Sequence, residues 1–79
     1  MLTLYVKTGC PYCGVVLNKL EELGLKFEEK NVSDPAVSEE LVKRGGKRQM
    51  PYLVDSATGV EMYESKDIVE YLEKNYFRT

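Results

Sequence analysis

Two cysteines, Cys10 and Cys13, are the residues of this chain whose type and spacing point most directly to chemistry. They are the only cysteines among 79 residues, and they lie three positions apart. A short apolar run, Leu2–Val6, precedes them, and a pattern with helical spacing follows them. Both thiols therefore fall on one predicted strand-to-helix turn, which favours redox-active thiol chemistry over a structural cross-link.

The position of the first thiol predicts its reactivity. Cys10 would face the unpaired N–H groups and the positive dipole end of a helix that begins at Pro11. Such a setting lowers the pKa of a cysteine from about 8.5 toward roughly 3.5–7.5. Cys13 would lie one turn further on, close enough to close a small disulfide. We therefore expect Cys10 to be the nucleophile and Cys13 the resolving thiol, with Lys7 adding positive charge beside the thiolate.

Three other uses of the pair stay open from the residues alone. A structural disulfide would need an oxidising compartment. A mononuclear zinc site needs about four ligands, and a chain with two cysteines and no histidine could supply them only as a dimer or with carboxylates. A [2Fe–2S] cluster could be shared by two chains, each giving one cysteine beside an external thiol. Dithiol–disulfide exchange is favoured because the N-terminus reads as a strand rather than a secretory signal, which predicts a reducing, cytoplasmic location.

Length and composition exclude several function classes. A chain of 79 residues predicts one small domain, residues 1–79, with a modest core. The net charge of -2 gives no electrostatic reason to expect nucleic-acid binding. No apolar run approaches the roughly 18 residues of a membrane span. We expect a monomer that binds neither nucleic acid nor membrane and that holds no metal.

The elements that must position the thiols follow from hydrophobic spacing and from turn residues. The predicted order is β-α-β-α-β-β-α: strand Leu2–Val6, helix from Pro11 to about Leu23, strand Lys26–Val32, helix from Pro35 to about Arg44, hairpin strands Tyr52–Val54 and Val60–Tyr63, and a helix from Ser65 to about Asn75. The first two strands, joined across a helix, are expected to be parallel, and the hairpin adds antiparallel strands. The predicted fold class is therefore α/β, a small mixed four-stranded sheet with helices on both faces. Ser65 is a candidate N-cap for the last helix.

These residues resemble the glutaredoxins over essentially the whole chain. The resemblance rests on the Cys-Pro-Tyr-Cys run of Cys10–Cys13, on Met50-Pro51 at the start of a hairpin, and on a polar turn before the last helix. The order of elements derived above is that of the thioredoxin-like fold. Thioredoxins usually carry Trp before the first cysteine and Gly-Pro between the two, whereas this chain has no Trp and has Pro-Tyr. The resemblance implies an oxidoreductase in electron transport and cell redox homeostasis that uses glutathione as co-substrate to reduce disulfide-containing or glutathionylated proteins.

The resemblance also implies where glutathione would bind. Pro51 matches the family's cis proline, and Met50 would then offer its backbone N–H and C=O to the cysteinyl part of a bound peptide. Glutaredoxins usually carry Thr-Val before this proline, and this chain carries Gln49-Met50, which leaves the backbone role intact. The residues implied as glutathione contacts are Lys7, Tyr12, Gln49, Met50, Pro51, Ser65, Lys66 and Asp67.

The turn before the last helix departs from the glutaredoxin pattern. There the family has a Gly-Gly pair, a polar residue and an Asp, which hold the glutamyl end of glutathione. This chain has no glycine in Tyr63–Asp67, and its Glu64-Ser65 pair resembles the one in the N-terminal domain of glutathione transferases, which share the fold. A helix N-terminus binds anions, Ser65 can donate its hydroxyl, and Asp67 can pair with the glutamyl ammonium.

Three rival functions therefore stay open. One is a redoxin of the same fold that takes electrons from thioredoxin reductase and serves ribonucleotide reductase. Another is a carrier that binds a [2Fe–2S] cluster as a glutathione-bridged dimer, although Pro11 is expected to stiffen the loop against it. A detached transferase-like domain ranks lower, because the chain shows no helical second domain for an electrophilic substrate.

Overall fold

The strands and helices follow each other in the predicted order. A computed structural model describes residues 1–76, and the last three residues of the predicted domain, 77–79, lie outside the described part. The elements are β1 (Leu2–Val6), α1 (Pro11–Glu22), β2 (Phe27–Asn31), α2 (Pro35–Gly45), β3 (Tyr52–Asp55), β4 (Val60–Met62) and α3 (Ser65–Asn75). Their bounds agree with the predicted ones to within one residue. No helix within residues 1–76 has the length and apolar character needed to cross a lipid bilayer.

The four strands form one mixed sheet in the order β2-β1-β3-β4. Strand β1 is parallel to β2, with Leu4 beside Glu29, and antiparallel to β3, with Leu4 beside Leu53. Strand β4 pairs antiparallel with β3, as expected of a hairpin. This topology confirms the predicted α/β fold class. Because β1 is hydrogen-bonded to a strand on each side, its end is held in place, and so is the start of the turn that contains Cys10.

Side chains of β1 alternate between the two faces of the sheet, as the pleat requires. Leu4 and Val6 belong to a core beneath α1 and α3, whereas Tyr5 belongs to a second core beneath α2. The buried residues of the first core are Leu2, Leu4, Val6, Cys13, Val16, Leu20, Leu53, Ile68 and Leu72. Those of the second core are Tyr5, Val32, Leu41, Tyr52 and Val54. Helices therefore cover both faces, and Cys13 is itself a core residue.

Helix α2 buries only part of its apolar side chains against the sheet. Leu41 is fully buried and Val37 contacts the same core, but Val42 is 40% exposed. Residues four apart lie on the same side of a helix, whereas adjacent residues are rotated by about 100° from one another. Val37 and Leu41 therefore face the sheet, and the neighbouring Val42 faces away from it.

Candidate active site

Cys10 is the N-cap of α1. Its backbone is extended, with φ of -85° and ψ of 112°, and its Sγ accepts a hydrogen bond from the backbone N–H of Cys13. The donor and acceptor lie 3.2 Å apart. Pro11 begins the helix, where the missing N–H leaves no hydrogen bond unmade. The sulfur therefore takes the place that a Ser, Thr or Asp oxygen commonly takes at a helix start, as the sequence predicted.

The turn between β1 and α1 is held by backbone and side-chain contacts. The N–H of Cys10 donates to the carbonyl of Lys7 at 3.1 Å, and Gly9 between them has a φ of 80°. That conformation is readily available only to glycine. Asn31 Nδ2 also donates to Thr8 Oγ1 at 2.9 Å, which joins the turn to β2. Lys7 thus contacts Cys10 through its backbone, while its side chain is exposed.

The two thiols differ in access. Both are free, but Cys10 is half-buried and Cys13 is only 2% exposed. Burial raises the pKa of the Cys13 thiol to about 11, and the hydrogen bond with Cys10 acts in the same direction. At neutral pH Cys13 is therefore a protonated thiol inside the core. A disulfide on another molecule can reach Cys10 and cannot reach Cys13.

A cleft of about 440 Å³ lies beside the thiol turn. This volume is within the range of roughly 300–1,000 Å³ that is usual for small-ligand sites. The lining residues are Tyr12, Gln49, Met50, Pro51, Glu64, Ser65 and Lys66. The peptide bond between Met50 and Pro51 is cis, as the resemblance implied. Six of the eight implied glutathione contacts are thus brought together, whereas Lys7 and Asp67 are not among the lining residues.

Glu64 lines the cleft although it was not among the implied glutathione contacts. Its Oε1 accepts a hydrogen bond from Gln49 Nε2 at 2.8 Å, so the contact joins the two walls of the cleft. Glu64 is also the N-cap of α3, and its φ of 70° is unusual for a residue other than glycine. The prediction that Ser65 caps this helix was wrong, because Ser65 is the first helical residue. The sequence signal for Glu64 was its place in the Glu-Ser pair.

The α3 wall of the cleft offers three kinds of polar group in successive residues. Glu64 supplies a carboxylate, Ser65 a hydroxyl and Lys66 an ammonium, all at the N-terminal end of the helix. A carboxylate recognises an ammonium group, whereas an ammonium and a helix N-terminus recognise a carboxylate. This wall can therefore bind a free α-amino-acid end, which carries both charges.

The described residues 1–76 contain no group of three or more His, Cys, Asp or Glu side chains that could together hold a metal ion.

The fold and the site together define a thioredoxin-like domain with a dithiol at the start of its first helix. A family model described as the N-terminal domain of glutathione S-transferases matches residues 4–79. The chain belongs to the family of glutathione S-transferase N-terminal domains. Among curated proteins, none matches the chain significantly.

Solved transferase structures share this fold. An epsilon-class glutathione S-transferase from the housefly, Musca domestica, has a TM-score of 0.81 and 28% identity over 100% of this chain and 37% of its own. A glutathione S-transferase from the Antarctic clam Laternula elliptica has a TM-score of 0.81 and 31% identity over 95% of this chain and 35% of its own. The chain therefore spans just over a third of the length of these transferases.

A small thioredoxin-like protein matches almost end to end. It covers 94% of this chain and 96% of its own length, with a TM-score of 0.80 and 23% identity, which shows the common fold alone. Together the comparisons confirm the thioredoxin-like fold and a relation to glutathione-dependent proteins. The family is that of transferase N-terminal domains, which the sequence interpretation ranked below the glutaredoxins.

Proposed function

We propose that this chain is a glutathione-dependent thiol–disulfide oxidoreductase of the glutaredoxin type. The observation that carries the proposal is the unequal pair of thiols at the start of α1: Cys10 is accessible and Cys13 is buried. A structural disulfide would need no accessible sulfur, whereas a nucleophilic cysteine of a dithiol enzyme needs both an accessible sulfur and a resolving thiol close to it. The pair has both features, and it lies beside a cleft of a size suited to a tripeptide.

The proposed reaction begins when the Cys10 thiolate attacks a substrate disulfide. A bond forms between Cys10 Sγ and the attacked sulfur, the substrate S–S bond breaks, and the leaving thiolate takes up a proton from water. With a protein disulfide, Cys13 then loses its proton and attacks Cys10, which gives a Cys10–Cys13 disulfide and releases the reduced protein. Two glutathione molecules supply the two electrons that restore the dithiol, and they leave as glutathione disulfide.

With a glutathione mixed disulfide, the second half of the cycle does not need Cys13. Cys10 takes the glutathionyl group, the protein thiol leaves, and a second glutathione thiolate attacks the adduct to release glutathione disulfide. The burial of Cys13 supports this shorter route, because a protonated thiol in the core competes poorly with dissolved glutathione.

The cleft supports glutathione as the co-substrate. We place the glutamyl end of glutathione against Glu64, Ser65 and Lys66, whose groups complement its ammonium and carboxylate. The cysteinyl part would pair with the backbone of Met50, and its sulfur would then point toward Cys10. Membership of a family named for glutathione transferases supports the same ligand. Tyr12 and Gln49 line the cleft, and Lys7 and Asp67 would act from outside it.

A trapping experiment tests the proposal. The Cys13→Ser variant, treated with glutathione disulfide, should gain one glutathionyl group, and peptide mass spectrometry should find that group on Cys10. The matched Cys10→Ser variant keeps a buried thiol and should gain none. An adduct on Cys13, or no adduct in either variant, would contradict the assignment of Cys10 as nucleophile.

A second candidate is glutathione conjugation, which the family match and the Glu64-Ser65 pair favour. Conjugation joins the glutathione sulfur to an electrophile and yields a thioether, whereas oxidoreduction yields glutathione disulfide. Incubation of the chain with glutathione and an electrophilic aryl halide, followed by product analysis, separates the two. Thioether formation that survives Cys10→Ser would favour conjugation.

A further inference from the structure

The loop that follows α2 and the segment that precedes α3 form opposite walls of the cleft, and two side chains join them. One contact is the hydrogen bond from Gln49 to Glu64 inside the cleft. The other lies behind it: the hydroxyl of Tyr63 donates to the carbonyl of Lys47 at 2.7 Å and accepts from the N–H of Lys47 at 3.3 Å. Tyr63 directly precedes Glu64, and Lys47 lies two residues before Gln49.

Tyr63 is held in one position by its surroundings. Its ring packs on Tyr52 with a centroid distance of 4.4 Å, and Lys47 Nζ lies 5.0 Å from its centroid. The end of α2 leaves room for the phenol only because residue 45 is glycine. A Cβ on Gly45 would lie 2.6 Å from Tyr63 Cζ and closer still to the hydroxyl oxygen. A side chain at position 45 would therefore have to push Tyr63 out of place.

We propose that Tyr63 is a positioning residue for the cleft. Its hydroxyl fixes the loop of residues 46–49 against the segment of residues 63–66, and so sets the distance between the Met50 backbone and the polar wall of α3. This inference rests on the proposed function, in which that cleft binds glutathione. Tyr63 is not among the residues that line the cleft.

The backbone of Glu64 explains why this support is needed. Its φ of 70° is unfavourable for a residue with a Cβ, so neighbouring contacts must hold it there. Helix α3 holds one side of Glu64, and Tyr63, fixed on Lys47 and Tyr52, holds the other. Without the hydroxyl, the loop and the segment would move more independently. Glutathione would then have to order both walls when it binds, and binding would weaken.

The matched test compares two variants that each lose one phenolic hydroxyl. Tyr63→Phe removes the bonds to Lys47, whereas Tyr71→Phe removes the bonds of that hydroxyl to Asp55 and to Thr58, 2.7 Å each, away from the cleft-lining residues. We expect Tyr63→Phe to raise the dissociation constant and the KM for glutathione by about three- to tenfold, which is the size of the net contribution of an ordinary hydrogen bond. We expect kcat and the alkylation rate of Cys10 to stay at the wild-type values. Tyr71→Phe should leave the dissociation constant unchanged.

Hydrogen exchange of the unliganded protein gives a readout that does not depend on glutathione. The amides of residues 46–50 should exchange faster in Tyr63→Phe than in wild type or in Tyr71→Phe. Gly45→Ala displaces the same phenol and should also speed the exchange of these amides. If Gly45→Ala does not fold, the comparison between Tyr63→Phe and Tyr71→Phe still tests the inference.

The outcomes separate the inference from the function on which it rests. Wild-type affinity in Tyr63→Phe, or an equal loss in Tyr71→Phe, would overturn the positioning role. If the wild-type chain binds no glutathione, the proposed function fails, and exchange at residues 46–50 then decides the inference alone. Faster exchange in Tyr63→Phe than in Tyr71→Phe supports it, and equal exchange overturns it.

Discussion

The backbone N–H of Cys13 donates a hydrogen bond to Cys10 Sγ across 3.2 Å, so the two cysteines have different roles in this contact. Cys13 supplies the donor that faces the accessible sulfur, and Cys10 closes the first turn of α1 as its N-cap. The contact therefore fixes the accessible sulfur at the start of α1, the position from which we propose that it attacks a disulfide.

The buried thiol should resist alkylation at neutral pH. In the Cys10→Ser variant, the rate at which iodoacetamide modifies Cys13 should still be rising above a pH of about 9.5, because burial raises the pKa of Cys13 far above the ordinary value of about 8.5. Mass spectrometry of samples quenched across a pH series measures this rate. The control is the same variant unfolded in urea, in which the alkylation rate of Cys13 should have its midpoint near the ordinary cysteine pKa of about 8.5. A folded-state midpoint at that value would contradict the burial of Cys13.

The two serine variants should differ in activity. Cys10→Ser should lose reduction of both protein disulfides and glutathione mixed disulfides, because it lacks the accessible nucleophile. Cys13→Ser should keep reduction of mixed disulfides and lose the dithiol reduction of protein disulfides, since only the second reaction needs a resolving thiol. Steady-state assays with each substrate class test this. Loss of both activities in Cys13→Ser, or retention of either in Cys10→Ser, would reverse the assigned roles.

Ser65→Ala should weaken glutathione binding more than it affects turnover. The loss of one hydroxyl from the cleft should raise the KM for glutathione by about three- to tenfold, with kcat at saturating glutathione unchanged. Ser33→Ala is a matched control, because Ser33 is an exposed turn residue that does not line the cleft. An unchanged KM in Ser65→Ala, or an equal rise in Ser33→Ala, would count against this placement of the glutamyl end.

Asp55→Asn should destabilise the fold. The side chain of Asp55 is fully buried and accepts hydrogen bonds from the hydroxyls of Tyr71 and Tyr76 and from the N–H of Ala57. An amide nitrogen in place of one oxygen would face a donor, so we expect a loss of about 1–3 kcal/mol in the free energy of unfolding at pH 7. Urea denaturation measures it.

The same variant should change how stability depends on acid. Burial acts to raise the pKa of Asp55, but the hydrogen bonds from Tyr76 and Tyr71 and from the N–H of Ala57 together hold it below its usual value. A carboxyl with a lowered folded-state pKa stabilises the fold above its unfolded pKa of about 3.9, and that contribution is lost as pH falls through the folded value. The stability gap between wild type and Asp55→Asn should therefore narrow at low pH. A gap of equal size at pH 7 and at low pH would contradict the role given to the charge.

The order of elements was predictable because local signals agree with the packing. Apolar residues in Leu2–Val6 and at helical spacing after Cys10 mark the faces that the sheet and α1 bury. Pro35 and Gly46 mark the ends of α2, where Gly46 adopts the left-handed conformation typical of a helix C-cap. The place of the cysteine pair at the start of α1 was predicted from residue type and spacing, and the cis peptide bond before Pro51 was implied by the resemblance to glutaredoxins.

Features set by contacts distant in sequence were not predictable in this way. Gly45 looks like a second helix-ending glycine, yet it is the last residue of α2. A side chain at this position would clash with the phenol of Tyr63, eighteen residues further along the chain. Nothing local in the sequence distinguishes Tyr63 from the other five tyrosines, although its hydroxyl joins two segments. Glu64 rather than Ser65 is the N-cap of α3, and its φ of 70° is a value that local preferences disfavour for a residue other than glycine.

The reduction of a glutathione mixed disulfide tests the central proposal most directly. The assay follows NADPH consumption in two systems, one with glutathione and glutathione reductase and the other with thioredoxin reductase. We predict steady NADPH consumption in the first system, dependent on Cys10 and retained in Cys13→Ser, and at most about a tenth of that rate in the second. Turnover with thioredoxin reductase alone, or no turnover of the mixed disulfide in either system, would contradict the proposal that glutathione reduces this protein.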